Sequence, residues 1–438
     1  MWRRLDCDLL VSGCDILPMN VAGFIEEGAI AVNDGKIVFV GKSSEASKIH
    51  AETRIDGKGK VALPGLVNAH THVPMTLFRG IAEDQPLDIW LKETIRPLEA
   101  RLTREDVYAG ALLGCLEMVK GGVTCFGDVY FREEMVAKAV ADSGLRGILA
   151  EGIIEGGNKL LGKVMFRRSA NFAKKFNEYA DGRVTAFLGP HAAYSCSQGL
   201  LQKVSEKASG LRVGVHTHLA ESRALFSEHE KKYGVGEVGF LDRIGFLNGH
   251  VLAAHCIDLS EKDMQILSQR GVNVAYAPVA NMKLGLGIAK IKELMDLGVN
   301  VCLGTDGPAS NNSLDMFETM KAAALLQKHL YRNPQVLSAY EVLKMATING
   351  AKALGLEKSV GSLEVRKKAD IVLLDLEKPH LKPLHDIYAT IVYSARCSDV
   401  DTVLVDGKVL MENKQVKTLD EEAVMERAEK AAFNFVKR

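Results

Sequence analysis

The feature that most constrains the fold is an alternation repeated through the middle of the chain. Eight short apolar runs recur there, at 62–72, 122–131, 146–154, 183–195, 212–221, 250–257, 272–281 and 299–310. Helix-compatible segments such as 104–120 and 259–271 separate most of them, the second opened by a Ser/Glu start signal at Ser260. Strands that alternate with helices pair in parallel, and eight such units predict a closed (β/α)8 barrel over residues 63–357. The flanks read differently. Residues 1–62 and 358–438 carry β-rich runs broken by Asn-Asp-Gly and Asp-Gly turns, so both termini are expected to form one small β-sandwich domain with the barrel inserted. The last stretch, from Leu419, has acids early and bases late, as a closing amphipathic helix should. The expected fold class is α/β.

Composition bounds the function. Lys+Arg and Asp+Glu both number 55, and this balance argues against a nucleic-acid or membrane-surface partner. No apolar stretch approaches the ~20 residues that span a bilayer. The opening "MWRRLDCDLLVSG" carries two arginines, but acids interrupt its apolar run, so a strand is expected rather than a signal peptide. The eight cysteines include no CxxC pair and read as free thiols, which points to the cytoplasm.

The chemistry lies at the ends of the apolar runs, where a barrel of this type places its active site. The first run ends in "NAHTH". Side chains i and i+2 of a strand share a face, so His70 and His72 either converge on one point or sit as two satisfied core histidines. Other runs decide between these readings. The fifth ends in "VHTHLAE", offering His216, His218 and Glu221; the sixth ends with His255; the eighth, "LGTDGPASNNS", carries Asp306 and Ser310. Three or four His/Asp ligands with room for water describe a catalytic divalent-metal site, and the absence of thiolates suits Zn2+ or Fe2+. Such a metal makes hydroxide available at neutral pH. Glu221, three residues beyond His218, is then placed to shuttle a proton, against the alternative of a solvated acid opening the next helix. His216 reads as packing or support for the ligands.

The ordered set "PGLVNAHTH", "HTHLAE", "AAHC" and "LGTDGPASNNS" resembles the amidohydrolase superfamily, and within it the 5′-methylthioadenosine/S-adenosylhomocysteine deaminases. The resemblance covers nearly the whole chain. It implies one divalent metal held by His70, His72, His218 and Asp306, with Glu221 carrying a proton to the purine and His255 orienting the hydroxide. Asp306 would also relay the hydroxide proton. It further implies Glu99 on the ribose hydroxyls, His191 on the sugar, and Ser310 at the rim, where a turn or cap serine is the competing reading. Trp90 reads as a pocket wall or as core. The implied substrate is a small adenosine-type nucleoside, and relatives of this kind often form homo-oligomers. The fourth run has no lysine to bridge two metals, which favours a single one.

Two departures stand out. Where homocysteine-accepting relatives carry arginines after the third strand, this chain offers Glu151 and Asn158. A like charge at Glu151 would disfavour a substrate carboxylate, so small neutral 5′-groups are expected. Tyr276 and Ala280 replace the His and Ser of relatives and are expected to retune the purine pocket. The alternatives are hydrolytic displacement on another heteroaromatic ring, guanine- or triazine-type, or a binding protein that kept the barrel and lost its chemistry.

Overall fold

The structure, a computed structural model, describes residues 5–21, 23–81 and 83–437. Met1–Arg4, at the head of the expected first strand, lie outside the described residues. Five strands lead into the chain: β1 (Leu5–Ile16), β2 (Ile25–Asn33), β3 (Lys36–Lys42), β4 (Ile49–Asp56) and β5 (Lys60–Pro64). Eight more form a parallel sheet in sequence order: β6 (Leu66–Thr71), β7 (Val123–Tyr130), β8 (Arg146–Ile153), β9 (Val184–Pro190), β10 (Val215–Leu219), β11 (Val251–His255), β12 (Asn273–Tyr276) and β13 (Asn300–Leu303). The last four, β14 (Ile371–Asp375), β15 (Val400–Val405), β16 (Lys408–Glu412) and β17 (Gln415–Val416), return to the first five.

The eight central strands are buried almost throughout, as parallel strands must be when helices cover one face and a packed interior the other. Their lower interior is a separate apolar cluster that includes Val67, Cys125, Ile148, Leu252, Ala275 and Cys302, closed by Ala353 and Leu354. The seam between first and last strands is knitted by a buried amide. Asn68 Oδ1 accepts the Thr305 N–H at 3.0 Å, and Asn68 Nδ2 donates to Thr305 Oγ1 at 2.7 Å. The Asp306 N–H then donates to the His70 carbonyl at 3.0 Å. Gly304 permits this approach, because a Cβ there would lie 2.7 Å from that of His70.

The two termini together build one mixed nine-stranded sheet. β1 forks it, pairing antiparallel with β2 and parallel with β4 and, at its end, β5. β14 joins the halves by pairing antiparallel with β5. Residues from both chain ends, among them Val11, Ile30, Ile55, Ile371 and Leu404, share its apolar core. No described helix is long and apolar enough to cross a membrane.

Arg146, at the start of β8, clamps the two sheets. Its guanidinium donates to both Asp370 oxygens at 3.0 and 3.1 Å and to Asp406 at 2.9 Å, with Arg146 and Asp370 buried. Removing one member of a buried pair leaves the others charged and desolvated. Arg146→Leu is therefore expected to lower the unfolding free energy by roughly 3–5 kcal/mol. Denaturant titration checks this, and a loss below about 1 kcal/mol, the range of a surface pair, would refute the clamp.

Candidate active site

The polar residues at the strand ends meet in one cavity, lined among others by His72, Trp90, Glu99, His191, His218, Glu221, His255, Asp306 and Ser310. At its floor the Nε2 atoms of His70 and His72 lie 3.5 and 3.2 Å from Asp306 Oδ1, and Nε2 of His218 is 3.3 Å from that of His72. Donors at the corners of a tetrahedron with bonds of roughly 2.0–2.1 Å stand roughly 3.3 Å apart. The spacing fits a divalent cation.

The other ring nitrogens are occupied. His72 Nδ1 donates to the Val129 carbonyl at 2.7 Å, and His218 Nδ1 to the His191 carbonyl at 2.8 Å. His70 Nδ1 pairs with His216 Nε2 at 2.8 Å, which leaves buried His70 Nε2 without a hydrogen-bond partner. Second partners of this kind fix the tautomer and aim the free lone pair. Burial takes His70 down to about 4 and holds His216 and His218 well below the ordinary value, so these rings are neutral. At His72 burial acts the same way, but the Asp306 carboxylate outweighs it and lifts the ring to about 9. Asp306 itself is pushed up by burial, yet the adjoining His70 and His72 rings hold it well below its usual range. A carboxylate strong enough to draw a proton onto one of the rings around it calls for a cation at that place.

Regular strand geometry does not deliver His255. Ala254 pairs beside His218, so the next side chain of β11 would face outward. A left-handed φ of 74° turns His255 back, and Asn281 Oδ1 accepts its Nδ1–H at 3.0 Å. Glu221 lies 3.7 Å from His255 Nε2, its carboxyl raised by burial against the opposing pull of His255. Glu99 borders the cavity with Tyr130 beside it, and burial raises its carboxyl as well. Burial, then the charge of Arg96, pushes His191 down to about 3. Trp90 is both wall and core, lining the cavity at 5% exposure. Ser310 serves both its readings too, since its hydroxyl closes a turn onto the Gly307 carbonyl at 3.0 Å while it borders the cavity.

Other expectations need correction. Asn158 is not among the lining residues; its side chain caps the helix Lys159–Phe176, accepting from Leu160 and Leu161 N–H at 3.1 Å. Glu151 does not line the cavity either. It is buried, accepts the Glu133 N–H at 2.8 Å and pairs with Arg168 at 3.1 Å. Tyr276 points away behind the strands, where its hydroxyl accepts from Gln327 at 3.3 Å, and Ala280 is buried outside the cavity wall. Arg96, Tyr130 and Asn281 went unread, because they come from the first residue of the helix Arg96–Glu99, the last residue of β7 and the short helix Pro278–Lys283, none with a motif of its own.

The amidohydrolase family profile matches residues 61–410. A 5′-deoxyadenosine deaminase of Methanosarcina acetivorans is 48% identical over 98% of this chain and 99% of its own. A 5-methylthioadenosine/S-adenosylhomocysteine deaminase of Moorella thermoacetica is 46% identical over 95% and 97%. Among solved structures, an adenosine deaminase of Xanthomonas campestris with bound zinc superposes with a TM-score of 0.95 at 32% identity, covering 99% of this chain and 100% of its own. With its barrel, its terminal sheet and its His/Asp donor set, the chain belongs to the amidohydrolase family.

Proposed function

We propose that this chain is a metal-dependent aminohydrolase that converts the adenine of adenosine-type nucleosides to hypoxanthine, releasing ammonia. The observation that carries the reading is the position of Glu221 and His255 beside a donor set of three Nε2 atoms and a carboxylate, inside a cavity walled by Trp90, Glu99 and His191. The relatives named for 5′-deoxyadenosine, 5-methylthioadenosine and S-adenosylhomocysteine support the choice of substrate. The eight cysteines are free, seven of them buried, which supports a reducing, cytoplasmic setting.

His70, His72, His218 and Asp306 would hold one divalent ion, taken as Zn2+ from the zinc-bound Xanthomonas structure, whose chemistry is to lower the pKa of water from 15.7 toward about 7. Glu221, with its raised proton affinity, takes a proton from the attacking water and delivers it to the ring nitrogen beside the carbon under attack. His255 has its Nδ1–H committed to Asn281, so Nε2 is free to accept from that water and orient it. Asp306 relays the remaining proton toward the departing amine. Glu99 and His191 hold the ribose.

Glu221→Gln is expected to keep fold and metal while cutting turnover of 5′-deoxyadenosine by roughly 10²–10⁴-fold. The adenine-to-hypoxanthine absorbance change reads it directly. Wild-type turnover would remove Glu221 from the reaction, and faster hydrolysis of guanine or a triazine by the unmodified protein would move the reading to another ring.

The structure also removes the objection to a charged 5′-group, because Glu151 is paired outside the cavity. Arg96 lines it instead, close enough to depress His191, and has no ion-pair partner among the described residues. Arg96→Leu is expected to lower kcat/KM for S-adenosylhomocysteine by roughly 10–100-fold, the worth of a charged hydrogen bond, and that for 5′-deoxyadenosine by less than about 3-fold. Equal losses on both would show that Arg96 does not read the 5′-group.

A further inference from the structure

We infer that Glu237, which does not line the cavity, is a positioning residue that aims the proton carrier Glu221 through the backbone of Ala220. The inference rests on the role given to Glu221 under the proposed function. Ala220 joins the end of β10 to Glu221 and holds φ at 49°, a left-handed conformation that a residue with a Cβ adopts only when its surroundings enforce it. Both of its backbone groups are tied. Its carbonyl accepts the N–H groups of Ile257 and Asp258 at 2.9 and 3.1 Å, just beyond His255 and Cys256, which are themselves left-handed at φ 74° and 50°. Its N–H donates to Glu237 Oε2 at 2.8 Å.

Glu237 is an unusual acceptor to find there. It is 2% exposed, at the first residue of the helix Glu237–Arg243, and its other oxygen has no hydrogen-bond partner among the described residues. Burial raises its carboxyl to about 7, against the pull of the Ala220 N–H. A carboxyl so disfavoured by burial makes one hydrogen bond, and that bond fixes the peptide preceding Glu221. The turn carrying the proton carrier is thus tied to the turn carrying His255 by main-chain bonds on one side, and to the helix Glu237–Arg243 by the Glu237 carboxylate on the other. Released from it, Ala220 relaxes toward ordinary φ and the Glu221 carboxyl swings from its place. A displacement near 1 Å of a reacting group costs up to about 100-fold in rate.

The test compares Glu237→Gln, which keeps an oxygen acceptor of the same reach, with Glu237→Asp, which withdraws it, and Glu237→Leu, which removes it. The expected result is kcat on 5′-deoxyadenosine within about 3-fold of wild type for Gln, and a 10–100-fold fall for Asp and Leu. KM and metal content should stay level in all three. The Asp variant keeps the test alive if Leu does not fold. Each change is also made on Glu221→Gln, where the effect of Asp or Leu should shrink below about 2-fold, since residues that act as a unit are not additive. A loss that persists on the Glu221→Gln background, a Gln variant as poor as Leu, or wild-type kcat in both Asp and Leu would overturn the inference. If Glu221→Gln itself turns over at the wild-type rate, it is the assignment of Glu221 that has failed.

Discussion

The site depends on the seam between β6 and β13. His70 and His72 come from the first strand and Asp306 from just past the last, 234 residues from His72 in sequence, and only closure of the sheet brings them within 3.5 Å. That closure rests on one buried amide, Asn68, which satisfies both the backbone and the hydroxyl of Thr305. A buried amide with both its oxygen and its nitrogen paired is specific in a way that apolar packing is not, because any other register leaves polar groups unpaired. The Asp306–His70 backbone bond and the missing Cβ at Gly304 complete the approach.

Around that seam the protein spends its buried polar groups on direction. Val129 and His191 supply carbonyls, His216 a ring nitrogen and Asn281 a side-chain oxygen, and each commits one nitrogen of a histidine so that the other faces the floor. Three of the turns that carry chemistry are left-handed at residues other than glycine, at Ala220, His255 and Asp306. Such conformations persist where surrounding bonds over-determine them, and they cluster where a side chain must be aimed. The barrel below is apolar and the rim above is polar, so rigidity and chemistry occupy separate layers.

Much of this was legible in the sequence, and for a physical reason. A parallel barrel repeats one unit eight times, so its apolar runs stand out, and its chemistry lies at one defined end of each run. His70, His72, His218, Glu221, His255 and Asp306 all sit at such ends, and the structure gathers them in one place. Loops obey no such rule. Asn158 and Glu151 looked like substrate contacts by position, but one caps a helix and the other pairs with Arg168. Tyr276 failed for a simpler reason, since alternate residues of a strand face opposite ways and this one faces Gln327. Arg96 and Glu237 left no trace, because their roles exist only where separate elements meet. Even His255 reaches the cavity against its strand parity, which points outward, because its backbone turns it in.

The central claim is that one divalent ion, held by four residues from three parts of the barrel, serves deamination of a purine nucleoside. It is tested most directly by stripping the protein with a chelator and titrating Zn2+ back while following deamination of 5′-deoxyadenosine. The account predicts no turnover without metal and a linear rise that breaks at one equivalent per chain. Full activity in the stripped protein, or a break at two equivalents, would contradict it.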